Sequence, residues 1–173
     1  MDKNGDFKAS REYRSTKEDF VVLEEVTLEI EVQYQRFVEL IGREPEYFEG
    51  HAVMSENYFK GLELVAARHN LKYSSMSLGG APIRVGQTDV YISMDSMTAD
   101  YNPSKSLKHM VSNAHEDACD MMICHPGYLD AYILKTSSLT IPRTQEVEML
   151  CDPAVKEWLL SQKDVALVTY NDL

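Results

Sequence analysis

The amino-acid sequence predicts an α/β protein with a mainly parallel sheet, and three observations predict it. Strand-like and helix-like segments alternate along most of the chain, with turn formers at their junctions. Two short apolar runs, 120–124 and 165–169, have the length and composition of strands buried on both faces. The clearest helical segments carry one apolar stripe, which needs another element to cover it.

Length and charge bound the rest. The chain has 173 residues, 44% of them apolar and 26% charged, which suits a folded domain rather than disorder. A globule of this size buries on the order of 70% of its unfolded surface and needs no disulfide or structural metal. No run of about 18 apolar residues is present, so no membrane span is expected. The opening MDKNGDFKASREYR is too polar for a secretory signal. A net charge of −11 repels phosphate backbones and anionic lipid, so neither nucleic acid nor a membrane surface is expected as a partner. Cys119, Cys124 and Cys151 have neither zinc-knuckle spacing nor an even count, and free thiols fit a reducing cytoplasm.

Residues 1–19 read as an irregular arm, rich in turn formers and charge, followed by a single α/β domain over 20–173. A helix over 22–42 follows from the stripe Val26, Ile30, Gln33, Phe37 and Ile41, and Gly42 and Pro45 end it. A strand around 46–49 runs into Gly50-His51. The next helix, 56–69, has Phe59, Leu62, Val65 and Ala66 on one face and Asn70 as its cap. Strands at 71–74 and 90–92 flank a turn-rich loop containing Gly79, Gly80, Pro82 and Gly86. Pro103 opens a helix over 103–115, and the run 120–124 is the next strand. Pro142 and Pro153 open helices over 142–151 and 153–161, and 165–169 is the last strand.

In parallel α/β folds, sites gather beyond the carboxyl ends of strands. His51 and His125 both stand at such ends, where two imidazoles could converge to bind a metal or move a proton near neutral pH. Each could equally cap a strand or satisfy a buried carbonyl. Pro126-Gly127 strengthens the functional reading of His125, because glycine admits close approach of a ligand to the backbone. Glu49, just before Gly50-His51, could orient an imidazole or be a surface acid. Arg143 and Glu146 lie three apart on one helix, as a surface ion pair or with the arginine holding a substrate or the site loop. His69, His109 and His115 read as helix-end or surface residues. No Rossmann or P-loop glycine pattern and no G-x-S-x-G elbow occurs.

These residues fall into motifs that resemble a known family. Pro45-Glu46-Tyr47-Phe48-Glu49-Gly50-His51 is similar to the P-x-x-h-D-[SG]-H motif of the YdjC-like carbohydrate deacetylases, of the chitooligosaccharide deacetylase type. Glu29, Gln33, Phe37 and Gly42 resemble the stretch that precedes it there. His125-Pro126-Gly127-Tyr128, then Ser137-Ser138 with Arg143 and Glu146, then 168–173 resemble its later segments, in the same order. The resemblance implies a distorted (β/α) barrel and a metal-dependent hydrolase that removes acetyl groups from N-acetylated sugars. It implies a divalent metal (Mg or Zn) that activates water, and an acetylated oligosaccharide as substrate. By it, His51 would be a metal ligand, and His125 the catalytic acid or a group orienting the substrate. Glu49, Gly127, Tyr128 and Arg143 would support the site or meet the sugar.

The family's N-terminal D-D-F-G segment, with its aspartate and a following histidine, has no match in residues 1–19. The resemblance therefore covers the C-terminal two-thirds of the family sequence. It implies an incomplete barrel whose N-terminal βα units are missing, with an open sheet and an apolar patch that a second copy or another chain would cover. Glu49 stands for the usual aspartate, and Val53 and Ser55 occupy positions where the family often has histidines. One imidazole is fewer than the about three protein ligands a catalytic metal takes, so this chain alone would not retain the metal. Two other readings follow: a catalytically incomplete remnant acting as a sugar- or partner-binding module, and a hydrolase that uses only the His51/His125 pair.

Overall fold

The longest apolar stripe in the sequence becomes the longest helix. The computed structural model describes residues 5–8, 10–51, 53–75 and 80–173. In chain order its elements are α1 (Ser10–Ser15), α2 (Leu23–Ile41), β1 (Tyr47–Glu49), α3 (Glu56–Arg68), β2 (Lys72–Ser74), β3 (Ile83–Val85), β4 (Thr88–Ser93), α4 (Pro103–Ser112), β5 (Cys119–Met122), α5 (Ala131–Thr136), α6 (Ile141–Cys151) and α7 (Pro153–Leu160). No helix among the described residues is long and apolar enough to cross a membrane.

Where the sequence suggested one domain over 20–173, the chain forms two compact units. Unit one takes residues up to 79 with Ile83–Gln87 and Thr169–Leu173, and unit two takes 80–82 and Thr88–Val168. Each buries its own apolar stripes.

In unit one, α2 packs on α3 through Ile30, Leu62 and Val65, with Val26, Phe48, Tyr58, Phe59 and Tyr73 around them. Gly61 allows the close approach: a Cβ there would lie 3.0 Å from Val26 Cγ1. Gly42 ends α2 at φ 76°, its N–H donating to Val38 O at 2.8 Å. β1 and β2 pair in parallel, with Phe48 opposite Tyr73. Asn70 adopts φ 53° just beyond α3. The terminal turn is held by Lys72, whose Nζ donates to Tyr170 O and Leu173 O, each at 2.6 Å.

In unit two, β4 and β5 pair in parallel from Val90 opposite Cys119 to Ser93 opposite Met122. The ladder runs one step further, Ile123 N–H donating to Ser93 O at 2.8 Å. α4 is capped by Asn102, whose side chain accepts from Lys105 N–H. Asp130 and Asp152 cap α5 and α7 in the same way.

Several sequence expectations change. The arm is not irregular throughout, because α1 forms within it. Tyr13 packs on Phe20 at 4.9 Å between centroids, and Lys8 lies 4.6 Å over the Phe20 ring, so contacts outside the helix supply what its own sequence lacks. The loop with Gly80 and Gly86 contains β3, while Gly79 lies outside the described residues. The helix expected over 103–115 stops at Ser112, where Asn113 Nδ2 donates to His109 O at 2.7 Å. α5 carries no apolar period long enough to be read. β5 is half-buried rather than fully buried.

The segment 165–169 forms no strand, and Leu167 is 68% exposed. A strand persists only where a neighbouring edge takes its hydrogen bonds. The chain turns here instead, Asp172 accepting from both the N–H and the hydroxyl of Thr169 at 2.7 Å. The continuous sheet expected of an incomplete barrel is likewise replaced by small sheets, although β1–β2 and β4–β5 keep the expected parallel sense.

The start of α3 yields a test. Ser55 caps it, accepting from Tyr58 N–H at 3.0 Å, while its hydroxyl donates to Asp19 at 2.9 Å. Burial pulls the Asp19 carboxyl up, but hydrogen bonds from Asn57, Val21, Ser55 and Glu56 together hold it below the ordinary aspartate range. A lowered folded value stabilises the fold above the unfolded value and loses that stability as pH falls through the folded one. Urea unfolding should therefore show Asp19→Asn removing part of the acid sensitivity below about pH 4. Ser55→Ala should cost about 1 kcal/mol at neutral pH.

Candidate functional site

The parallel pairing of β4 and β5 sends both strands out at the same end of unit two, and the chain leaves β5 as Ile123-Cys124-His125-Pro126-Gly127. This loop is held by the first turns of α6. Arg143 Nε donates to Leu139 O at 3.0 Å and Nη1 to His125 O at 3.4 Å, while Gly127 N–H donates to Arg143 O at 3.3 Å. A Cβ on Gly127 would meet Arg143 Nη1 at 3.4 Å, an ordinary van der Waals contact.

One helical turn on, Glu146 is completely buried. Its Oε2 accepts from the main-chain N–H of His125 at 2.6 Å and its Oε1 from the Tyr101 hydroxyl at 2.8 Å. Arg143 and Glu146 therefore do not act as the surface ion pair that their spacing allowed. They grip the two sides of one peptide segment, the carboxylate at the His125 N–H and the guanidinium at its carbonyl. The arginine holds this loop through the Leu139 and His125 carbonyls.

The His125 imidazole is half-buried, and its Nδ1 is buried without a hydrogen-bond partner. Ser96, on the segment after β4, is 2% exposed and its Oγ is likewise buried and unpartnered. Such groups are uncommon in folded proteins and mark a place for water or a ligand. Burial first, then the hydrogen bond to Glu146, push the Tyr101 phenol well above the ordinary tyrosine range. Burial also raises the Cys124 thiol, and the charge of Glu146 adds to it.

The other predicted residues lie elsewhere or exposed. His51 sits on the exposed loop after β1 in unit one, where its main chain hydrogen-bonds the Tyr58 phenol. Glu49 ends β1 and lines a groove of about 430 Å³, with Val26, Ile30, Phe37, Tyr47 and Phe48 among its other walls. Tyr128 is 82% exposed. His69 joins α2 to α3: its Nε2 lies 2.9 Å from Glu31 and its ring stacks 3.7 Å from that of Tyr34. His115 pairs with Asp120 at 2.9 Å and stacks on Tyr91. The structure thus gathers His125, Gly127, Arg143 and Glu146 in unit two, and keeps Glu49 and His51 together on β1 and its following loop.

Tyr101 and Ser96 were not legible in the sequence. Tyr101 lies 45 positions from Glu146, and no local pattern links them. The donor set for a metal can also be judged. No group of three His, Cys, Asp or Glu residues among those described is arranged to hold a metal ion. His51 is therefore not part of a complete set of protein ligands within the described residues.

Comparison with known proteins adds three findings. The sequence model of the YdjC-like protein family matches residues 1–161. The chain is 28% identical over 158 residues to carbohydrate deacetylase 2 of Listeria innocua, covering 87% of this chain and 60% of that protein. It is 25% identical to a chitooligosaccharide deacetylase of Salmonella heidelberg, covering 83% of this chain and 60% of the relative. The chain thus spans about 60% of the length of these relatives. A crystal structure of a "putative cellobiose-phosphate cleavage protein" from Enterococcus faecalis superposes with a TM-score of 0.72 at 20% identity, over 99% of this chain and 67% of that one. That likeness establishes a shared α/β fold.

The Tyr101–Glu146 contact can be read directly in solution. In an alkaline ultraviolet titration, wild type and Tyr101→Phe should give the same phenolate signal through about pH 10. They should diverge only at higher pH. Loss of an ordinary tyrosine step in the variant would show that the buried hydrogen bond is absent.

Proposed function

The chain belongs to the YdjC-like protein family, and from that premise we propose that it forms part of a hydrolase that removes acetyl groups from N-acetylated sugars. The observation that carries this reading is the family match running through the His125 loop, which α6 clamps at the end of a parallel strand. Deacetylation adds water across the acetamide C–N bond and gives acetate and a free amine. The amine leaves when its nitrogen takes a proton, and histidine is suited to give one near neutral pH. In this reading His125 is that acid, or orients the sugar for it. Tyr128, close after His125 in sequence, presents an exposed ring suited to the apolar face of a sugar.

A divalent metal is implied by the family resemblance, with His51 as one ligand. The described residues do not supply a complete donor set, so no step is assigned to it here. The same observation favours a second reading, in which the chain binds acetylated oligosaccharide or a protein partner without turning it over.

Acetate release from N-acetylglucosamine oligomers, measured with added Mg²⁺ or Zn²⁺, separates the two. Under the first reading the chain joined to the family's N-terminal segment releases acetate, and His125→Ala in it lowers the rate by about 10²-fold or more. Oligomer binding without acetate release would favour the binding module, and failure of both would overturn both.

A further inference from the structure

A carboxylate that is wholly buried is costly unless its oxygens are met by donors. Glu146 has no guanidinium or ammonium on it. Its two oxygens are met by one phenol and one main-chain N–H. Packing alone gives no reason for a charge at this position, since a neutral side chain could also accept from the His125 N–H. The reason lies in what that N–H belongs to.

His125 is held through its main chain on both sides, by Glu146 at the N–H and Arg143 at the carbonyl. Its ring is not: Nδ1 is buried and meets no hydrogen-bond partner. The direction of the imidazole is therefore inherited from the peptide that the clamp fixes. Glu146 and Arg143 hold the His125 main chain, Tyr101 donates to Glu146, and Cys124 precedes His125 in the chain. Glu146 is the buried anion among them.

We propose that Glu146 is a positioning residue for His125: its buried carboxylate, steadied by Tyr101 and joined by Arg143, fixes the main chain on either side of His125 and thereby aims the imidazole. This rests on the reading of His125 as the acid of a deacetylase, and it assigns Glu146 a role in that same site. Arg143 is the second jaw of the clamp. Tyr101 acts on His125 only through Glu146.

The test uses the whole 173-residue chain labelled at histidine, with the His125 ring resonances assigned by loss in His125→Gln. Glu146→Gln keeps the shape, and its amide can accept from the His125 N–H while donating to the Tyr101 oxygen, so the fold is retained. With the contact to the His125 N–H kept, the His125 ring shifts should stay near those of wild type. His115, paired with Asp120, serves as the internal control in both variants. Glu146→Ala releases the clamp and should average the His125 ring shifts towards those of a free histidine. Should either variant fail to fold by thermal unfolding, Tyr101→Phe, which frees one carboxylate oxygen, is read in the same way with a smaller displacement.

Unchanged His125 ring shifts in a folded Glu146→Ala overturn the positioning role, because a glutamate that only packs would leave the direction of the ring alone. Acetate release measured alongside separates this from the functional reading. In the chain joined to the family's N-terminal segment, Glu146→Ala should lower kcat by at least about tenfold with KM little changed, and Glu146→Gln should restore most of it. Absence of activity in that extended chain defeats the deacetylase reading, while the imidazole response still decides whether the clamp exists.

Discussion

A carboxylate taken out of water must be met by donors, and the architecture of unit two follows from how Glu146 is met. One donor is the main-chain N–H of His125, at the end of β5, and the other is the phenol of Tyr101, just before α4. A single side chain on α6 thereby ties together the end of a strand and the entry to another helix. Arg143, a turn earlier, takes the carbonyl on the other side of the same peptide. The H-P-G-Y loop is positioned by these polar contacts more than by apolar packing, since β5 itself is only half-buried.

Unit one is organised by a different force. Its centre is the apolar contact of α2 with α3, allowed by Gly61 and extended by the aromatic rings of Phe48, Tyr58, Phe59 and Tyr73. Polar contacts decorate its edges: Asp19 on the start of α3, Glu31 on His69 at its end, Lys72 on the terminal turn. Along α2, Leu28, Val32, Leu40 and Ile41 remain exposed, so only part of the helix's apolar surface is used within the unit. Glu49 and His51 occupy the rim of this packing, on β1 and the loop beyond it. No group of three His, Cys, Asp or Glu among the described residues is arranged to hold a metal ion.

Much of this was legible before any coordinates. The stripe from Val26 to Ile41 specifies α2 because a 3.6-residue period can be satisfied in one way only, and Pro103, Pro142 and Pro153 mark helix starts because their missing N–H is harmless there. The ordered run of motifs located the family. What failed was whatever depended on a distant partner. The run 165–169 has strand composition, yet no neighbouring edge receives it and Asp172 turns the chain instead. β3 and α5 are too short to carry a period of their own.

The sequence by itself determined the alternation of helix and strand, the parallel sense of the pairing, the family, and the candidacy of His125. These are properties of local periodicity and of motif order, and both are written along the chain. Tertiary structure alone decided that Arg143 and Glu146 close on the His125 peptide rather than on each other. It also decided that Tyr101 joins them and that Nδ1 and the Ser96 hydroxyl are left bare. Burial decides these things: a carboxylate on a helix surface would turn to the nearest cation, but one shut away from water takes the donors that the packing brings to it.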